Sequence, residues 1–385
     1  MKDRLRLIGL CLAGWVLRWR RTAPATASPP NAPRRILVIK PDHAGDLVLL
    51  TPALRVLRER WPTAEVTLLM GPWGRGLIAP PLVDRVHVLP FPGFTRQAKG
   101  RWWQPYWLLW CWASRLRAVH WDAALIARDD HWWGALLAAL AGIERRIGWA
   151  VPGVAPLLTE ALRHNPADHA ASQGLALVAA LTGAEITAPP ATLLALTPAA
   201  QRWAAQRLGN VDARLVALHP GSGGAAKRWP VARWRRVAQL LEAEGWRVVV
   251  TGGPSEAALV AEIAHGLTAP VVVLDAPDLV HLGAVFARCA AVLGVDSGPL
   301  HVAAAVGPAK LALFGQGDVG RWGTWGDPAR QRVVTSTLWC APCGVLDHCP
   351  RGTLPAECMT HIPLGTVLAH VKMLLRDVDA ARLIT

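Results

Sequence analysis

The chain has 385 residues, 52% of them hydrophobic, and carries a formal net charge of +14. This composition excludes a largely disordered protein and suits two domains of about 150 to 200 residues each. No apolar run reaches the ~18 residues that a membrane-spanning helix needs, and no helix-turn-helix, zinc-finger or aromatic-basic strand pattern points to nucleic acid.

The first element in chain order is an apolar stretch, Leu7–Leu17, which ends at Arg18. It is similar to a secretory leader, but arginines stand where a small-residue cleavage site should begin. One hypothesis is an amphipathic helix on the cytoplasmic face of a membrane, with Trp15 and Trp19 at headgroup depth. The other is an uncleaved leader without a role. Together with the Ala-, Pro-, Ser- and Thr-rich linker that follows, this segment fills residues 1–33.

Short β-type runs then alternate with helical stretches. The predicted strands are Arg35–Lys40, Glu65–Met70, Arg85–Leu89 and Asp122–Arg128, and the predicted helices are Asp46–Arg60 and Trp132–Ala141. Strands separated by helices of this length indicate parallel sheets built from βαβ units.

Tryptophan supplies 20 of the 25 aromatic residues. Within residues 101–119, aromatic and basic residues recur at helical spacing: Trp103, Tyr106, Trp107, Trp110, Arg115 and Arg117. Such a helix could lie at a membrane interface, or it could be buried with its indoles in the core. Residues 1–150 hold 22 Lys and Arg against 10 Asp and Glu, which indicates an anionic lipid or a phosphorylated substrate as partner.

A second series of strands follows the break at Pro189 and Pro190. Its predicted members are Leu215–His219, Trp246–Thr251, Val271–Leu274, Ala291–Val295 and Lys310–Phe314, with helices beginning near Pro230, Pro254, Asp278 and Gly298. The predicted fold class is therefore α/β, with two Rossmann-like doubly wound domains, residues 34–190 and 191–385, facing a central cleft. Ligands bind at the carboxyl ends of the strands in such domains.

The loop after the first strand runs from Lys40 to Asp46. Gly45 permits a tight turn, and Asp46 stands at the start of the predicted helix. Asp46 could be a helix N-cap. It could also be a general base that takes the proton from an acceptor hydroxyl, on a domain that binds the acceptor.

The loop after Leu215–His219 is rich in glycine. Gly221 and its neighbouring glycines, together with Ser222, offer backbone amides and a hydroxyl to phosphate oxygens. Lys227 could neutralise a diphosphate leaving group. The spacing is not that of a Walker loop, and a flexible surface loop is the alternative.

Two further strand ends carry polar residues. Asp296, Ser297 and Gly298 lead into a helix and favour an anion and sugar site, with His301 one turn further. In the fourth loop, Glu256 could accept hydrogen bonds from a ribose or could stabilise a helix dipole in the first turn.

Four segments together resemble the heptosyltransferase family of bacterial lipopolysaccharide assembly, glycosyltransferase family 9. These are RILVIKPDHAGDLVLLTPAL, LVALHPGSGGAAKRWP, TGGPSE and VLGVDSGPLHVAAAVG, and the resemblance runs from about Arg34 to Leu375. It implies a GT-B fold and a metal-independent, inverting transfer from an ADP-heptose donor to the inner-core region of lipid A.

The resemblance also implies residue roles. Asp46 is the expected base, Ser222 and Lys227 are the expected pyrophosphate contacts, and Glu256 is the expected ribose contact. Asp296, Ser297 and Gly298 would hold the sugar and diphosphate, with His301 near them. Three segments depart from the family pattern and bear on the identity of donor and acceptor. Gly221 to Gly224 stands where family members often carry Thr or Ser, and the other two are Arg128-Asp129-Asp130 and Gln316-Gly-Asp.

Four cysteines cluster near the carboxyl terminus: Cys340, Cys343, Cys349 and Cys358. In a cytoplasmic protein such a cluster could hold a structural zinc ion, although the spacing is not a standard zinc pattern. Structural thiols, reduced or disulfide-linked, are the alternative.

The sequence thus predicts a transferase that needs no cofactor and no catalytic metal, and that binds a nucleotide-sugar donor of the ADP-sugar type. Its partners would be a lipid-linked, phosphorylated acceptor and the inner-membrane surface, where it would lie peripherally on the cytoplasmic side. A related transferase using another nucleotide sugar, a sugar-nucleotide epimerase of similar fold, and a non-catalytic nucleotide-sugar or lipid-binding protein are the alternatives.

Overall fold

A computed structural model describes residues 33–94, 101–209, 214–345 and 347–382. The predicted N-terminal amphipathic segment, and the linker up to residue 32, lie outside the described residues. Within them, no helix combines the length and the apolar character that crossing a bilayer requires. The chain divides into two compact units between Pro190 and Ala191, and Ala44–Leu49 groups with the second unit.

The first unit contains a six-stranded sheet in which all neighbouring strands are parallel. Its strand order is β3-β2-β1-β4-β5-β6. The strands are β1 (Arg35–Lys40), β2 (Glu65–Met70), β3 (Arg85–Val88), β4 (Ala123–Ile126), β5 (Arg145–Trp149) and β6 (Glu160–Leu162). The helices up to Pro190 are α1 (Ala44–Arg60), α2 (Gln104–Arg117), α3 (Trp132–Leu140) and α4 (Ala170–Thr182).

The second unit repeats this arrangement with the order β12-β11-β10-β7-β8-β9, again with parallel neighbours. The strands are β7 (Leu215–His219), β8 (Arg247–Thr251), β9 (Val271–Val273), β10 (Ala291–Val295), β11 (Ala309–Phe314) and β12 (Gln331–Thr335). The helices are α5 (Pro198–Leu208), α6 (Val231–Ala243), α7 (Ala257–Ala264), α8 (Leu279–Ala287), α9 (Gly298–Val306), α10 (Val319–Trp322), α11 (Glu357–His361) and α12 (Leu364–Arg382).

The predicted fold class is confirmed, because both units are doubly wound parallel sheets in the Rossmann strand order. The four central residues of β1 and all of β10 are without charge and buried, as strands covered on both faces must be. Local signals define several helix starts. The Asp278 carboxylate, for example, accepts from the backbone N–H groups of Val280 and His281 at the beginning of α8.

Some predicted boundaries are wrong by a few residues. Helix α1 begins at Ala44 and not at Asp46, and its N-cap residue is His43. Strands β5, β6 and β12 were not predicted. In β5 the polar residues at the start interrupt the apolar pattern that predicts a buried strand. Arg146 is nevertheless buried, and its guanidinium donates to the carbonyl of Leu157.

Helix α2 carries apolar residues on two faces. Leu109, Ala113 and Leu116 are buried and belong to the apolar core that also includes residues of α3. Trp112 packs partly buried against the same core. The other aromatic residues of the helix, with the two tryptophans just before it, are exposed: Trp102 by 82%, Trp103 by 41%, Tyr106 by 55%, Trp107 by 62% and Trp110 by 64%. The hypothesis that these indoles lie in the core is therefore wrong.

Candidate functional site

Each sheet has one position at which the order of winding reverses. It lies between β1 and β4 in the first unit and between β7 and β10 in the second. Loops that leave adjacent strands there diverge to opposite faces of the sheet and open a crevice at the carboxyl ends, where ligands bind in doubly wound proteins. In both units charged residues occupy this position.

In the second unit, Lys227 and Asp296 form an ion pair. Lys227 ends a single 3-10 turn in the loop after β7, and Asp296 directly follows β10. The Lys227 Nζ lies 2.8 Å from the Asp296 Oδ2, and the two side chains are only 15% and 11% exposed. The structure thus brings together two residues that the sequence placed in separate motifs, and it holds a cation at the switch point.

Asp296 also packs closely against the loop after β11. A Cβ built on Gly317, in the loop after β11, would lie 2.6 Å from the Asp296 Oδ2. The next residue, Ser297, is the N-cap residue of α9, and its hydroxyl is buried without a hydrogen-bond partner among the described residues. A helix N-terminus and an unsatisfied hydroxyl beside a lysine favour a bound anion.

The glycine-rich loop contacts Glu256. A Cβ built on Gly221 would overlap both carboxylate oxygens of Glu256. The Glu256 Oε2 also accepts from the backbone N–H of Gly253 at 2.9 Å, so it caps the turn before α7. The Ser222 hydroxyl donates to the carbonyl of Gly224 at 2.5 Å. These contacts order the loop, and they bring the glycine-rich motif together with the loop that contains Glu256.

Two further buried groups at this edge were not predicted as site residues. Gln316 follows β11 and is 1% exposed, yet neither atom of its side-chain amide has a hydrogen-bond partner among the described residues. His219 ends β7, lies 2.9 Å by its Nδ1 from the Thr251 hydroxyl, and has its pKa lowered to about 4 by burial. The departure of Gln316-Gly-Asp from the family pattern was the one sequence signal for Gln316.

His301 lies on α9 and is 7% exposed. It shares this helix with Gly298, which is the first helical residue after Ser297. All the predicted donor residues therefore lie in loops or helix starts at the carboxyl edge of the second sheet.

In the first unit, Asp42 is the centre of a charged cluster. It is 2% exposed, and its carboxylate pairs with Lys40 at 2.9 Å and with the Arg128 guanidinium. Burial raises the pKa of the Asp42 carboxyl, but Lys40 and Arg128 outweigh burial and hold the pKa below its usual value. The cluster joins the ends of β1 and β4, which are the two strands at the switch point.

Arg128 also pairs with Asp130, and its guanidinium lies 5.0 Å from the centre of the Phe94 ring. The nearby His131 is 4% exposed, and burial lowers its pKa to about 4. Sequence reasoning missed Asp42 and His131 as site residues, and it noted Arg128 only as a departure from the family pattern.

Asp46 lies in the first turn of α1 and is partly exposed. Because His43 is the N-cap residue, the hypothesis that Asp46 caps this helix is wrong. A carboxylate in the first turn still interacts favourably with the helix dipole, and its role as a base stays a prediction.

All four clustered cysteines are free thiols. Burial, followed by the neighbouring Cys343, raises the pKa of Cys358 to about 11. In the part of the chain that the structure describes, no three Cys, His, Asp or Glu side chains are arranged to hold a metal ion. This arrangement gives no support to a structural zinc ion at Cys340, Cys343, Cys349 and Cys358, which stays a prediction from the sequence alone.

The two switch-point clusters differ in what they can bind. In the second unit, a lysine, a helix N-terminus and a glycine-rich loop suit a diphosphate, and the carboxylates of Asp296 and Glu256 can accept hydrogen bonds from hydroxyl groups. In the first unit, the cations of Lys40 and Arg128 lie beside the carboxylates of Asp42 and Asp130. Such a mixed set of charges suits a polar ligand with both hydroxyl and anionic groups.

Comparisons with known proteins agree with this arrangement. Residues 110–349 match the model of glycosyltransferase family 9 (heptosyltransferase). The chain is 27% identical over 296 residues to lipopolysaccharide heptosyltransferase 3 of Escherichia coli K12, a match that covers 74% of this chain and 83% of that protein. A second Escherichia coli lipopolysaccharide heptosyltransferase 3 is 34% identical over 140 residues, which is 35% of this chain and 41% of that protein.

A solved structure shares the fold. The Escherichia coli ADP-heptose lipopolysaccharide heptosyltransferase II superposes with a TM-score of 0.69 at 21% identity, covering 90% of this chain and 99% of that chain. Its two parallel-sheet units are of the GT-B type, and the same fold is present here.

Proposed function

The chain belongs to glycosyltransferase family 9, the heptosyltransferases, and from this premise we propose that it transfers a heptose from ADP-heptose to a phosphorylated lipid A–inner-core acceptor. The transfer inverts the configuration at the anomeric carbon. The acceptor is lipid-linked, so the enzyme works peripherally on the cytoplasmic face of the inner membrane.

The observation that carries the donor assignment is the Lys227–Asp296 pair at the switch point of the second sheet. Lys227 lies 2.8 Å from Asp296 and beside the start of α9, so a diphosphate there would meet a cation and a helix N-terminus. Both stabilise the negative charge that develops as ADP departs. Because these groups neutralise the leaving group, we expect the transfer to continue in EDTA.

The acceptor oxygen attacks the anomeric carbon of the heptose, and Asp46 takes the proton from the attacking hydroxyl. The bond from the anomeric carbon to the diphosphate breaks as the new glycosidic bond forms. Attack opposite to the leaving group inverts the anomeric configuration. The cluster of Lys40, Asp42 and Arg128 on the first unit is the proposed contact for the polar part of the acceptor.

The test supplies the purified chain with core-truncated lipopolysaccharide and one of three donors: ADP-heptose, ADP-glucose or UDP-glucose. We expect ADP release, and an acceptor mass increase of one heptose, with ADP-heptose alone. Transfer with another donor would identify a related transferase, and ADP-heptose binding without any transfer would identify a binding protein.

Asp46→Asn is the matched catalytic variant, because it keeps the shape of the side chain and removes its basicity. We expect turnover to fall at least ~100-fold, the lower end of general-base effects, while ADP binding measured by calorimetry stays unchanged. Turnover close to that of the unmodified chain would remove Asp46 from the catalytic role.

A further inference from the structure

Five exposed aromatic residues lie on α2 and just before it, and we call them the aromatic face: Trp102, Trp103, Tyr106, Trp107 and Trp110. Their exposed fractions range from 41% to 82%. Trp103, Trp107 and Trp110 are spaced by four and three residues, so they lie on one side of the helix. Large apolar side chains grouped on a surface mark an interaction site.

The inner side of the same helix is already occupied. Leu109, Ala113 and Leu116 are buried in the core of the first unit, and α2 packs against α3. The aromatic face is therefore not needed to hold the helix in place. Its tryptophans differ from Trp229 and Trp234 of the second unit, which are 1% exposed.

The charged side chains of the segment that carries the aromatic face are of one sign. Arg101, Arg115 and Arg117 are all exposed, and residues 101–119 contain no Asp or Glu. Arginine pairs well with phosphate groups, and tryptophan and tyrosine settle where an apolar layer meets water. A helix of 14 residues is about 21 Å long at 1.5 Å per residue, too short to cross a bilayer of ~30 Å but suited to lie along its surface.

We propose that the aromatic face is a membrane-docking surface, which binds an anionic lipid bilayer with its indoles at headgroup depth and its arginines on lipid phosphates. The proposal deepens the proposed function, on which it rests, because a lipid-linked acceptor stays in the membrane and the unit that receives it must approach the bilayer. The absence of acidic residues from this segment favours lipid phosphates over a protein partner.

The test measures co-sedimentation of the full chain with phosphatidylcholine vesicles, with or without 30% phosphatidylglycerol, at 50 and 500 mM salt. We expect tighter binding to the anionic vesicles, and binding to them at least tenfold weaker at the higher salt concentration. In the triple variant Trp102→Ala, Trp107→Ala, Trp110→Ala, the dissociation constant for anionic vesicles should rise at least tenfold. Alanine is a good helix former, so circular dichroism should show an unchanged fold.

Trp339→Ala is the matched control, because Trp339 is 80% exposed but belongs to the second unit and not to the aromatic face. Its vesicle binding should equal that of the unmodified chain. Brominated lipids should quench tryptophan fluorescence in the unmodified chain and in Trp339→Ala, and much less in the triple variant.

Several results would overturn the proposal. These are vesicle binding by the triple variant equal to that of the unmodified chain, an equal loss in Trp339→Ala, or a changed oligomeric state of the triple variant without a change in vesicle binding. The last result would assign the face to a protein partner. A chain that docks on vesicles but transfers no sugar contradicts the proposed function alone, and one that glycosylates a water-soluble acceptor without docking contradicts the docking surface alone.

Discussion

At the scale of single residues, each switch point contains an ion pair whose carboxylate is buried, unlike the carboxylates of the surface ion pairs. The carboxylate of Asp296 pairs with Lys227, and that of Asp42 pairs with both Lys40 and Arg128. A charge removed from water is stable only while its partner is present. Substitution of one partner should therefore have effects that a surface substitution lacks.

We predict that Lys227→Ala weakens ADP binding by about 10- to 100-fold, since a hydrogen bond to a charged group contributes about 1.5 to 3 kcal/mol. Calorimetric titration with ADP measures it. Lys372→Ala is the control, because Lys372 is 48% exposed and pairs only loosely with Glu244, at 3.7 Å. Equal ADP affinity in the two variants would exclude Lys227 from the donor site.

We predict that Asp42→Asn lowers the free energy of unfolding by about 3 kcal/mol, because it leaves two partly buried cations without their shared carboxylate. Glu65→Gln is a close control: Glu65 also pairs with two arginines, Arg35 and Arg85, which are 45% and 63% exposed. Exposed pairs contribute about 1 kcal/mol at most. Urea denaturation compares the two, and similar losses would show that the Asp42 cluster is no more than a surface network.

At the scale of elements, the donor loop is shaped by contacts between turns. Gly221, two residues after β7, leaves room for the Glu256 carboxylate, which caps the turn before α7. A side chain at position 221 would have to displace either the loop or the carboxylate.

Gly221→Ala should therefore weaken ADP-heptose binding and lower the melting temperature, with a cost of about 1 to 3 kcal/mol, as is usual for overpacking. Gly365→Ala in α12 is the control, because a Cβ there meets no atom within 4 Å. Thermal melts with and without the nucleotide sugar measure both effects. A Gly221→Ala protein that binds the donor normally would mean that this loop does not shape the site.

At the scale of the whole molecule, a buried histidine with a strongly lowered pKa occurs among the described residues of each unit. His131 in the first unit and His219 in the second both have a pKa of about 4, with burial as the main cause. In the unfolded chain a histidine binds its proton below a pH of about 6.5. Between pH 6.5 and 4 the unfolded state therefore binds more protons, and the stability of both units falls as the pH decreases.

We predict that each of these histidines costs about 2 kcal/mol of stability when the pH falls from 7 to 4.5. In His219→Gln the stability should change less steeply over this range than in the unmodified chain. His120→Gln serves as control because the His120 side chain is 86% exposed. Urea denaturation at several pH values gives the slopes, and identical slopes for the unmodified chain and His219→Gln would refute the prediction.

The sequence by itself determined the fold class, and it predicted the edge of each sheet at which ligands are expected to bind. Alternation of buried strands with helices is a local pattern, and parallel strands must place all their carboxyl ends at one edge. This is why Lys227, Asp296 and Glu256 could be assigned to one site from their positions along the chain alone. Strands β5 and β12 escaped prediction because Arg145, Arg146, Gln331 and Arg332 break the apolar pattern at their starts.

Only the tertiary structure decided which side chains meet and which apolar faces remain exposed. Lys227 and Asp296 are 69 residues apart, and Asp42 and Arg128 are 86 apart, so no local pattern could pair them. The spacing of Trp103, Trp107 and Trp110 places them on one helix face but does not say whether that face has a partner. The core of the first unit takes Leu109, Ala113 and Leu116 of α2, and the indoles stay in solvent because the opposite side of the helix already provides the buried contact.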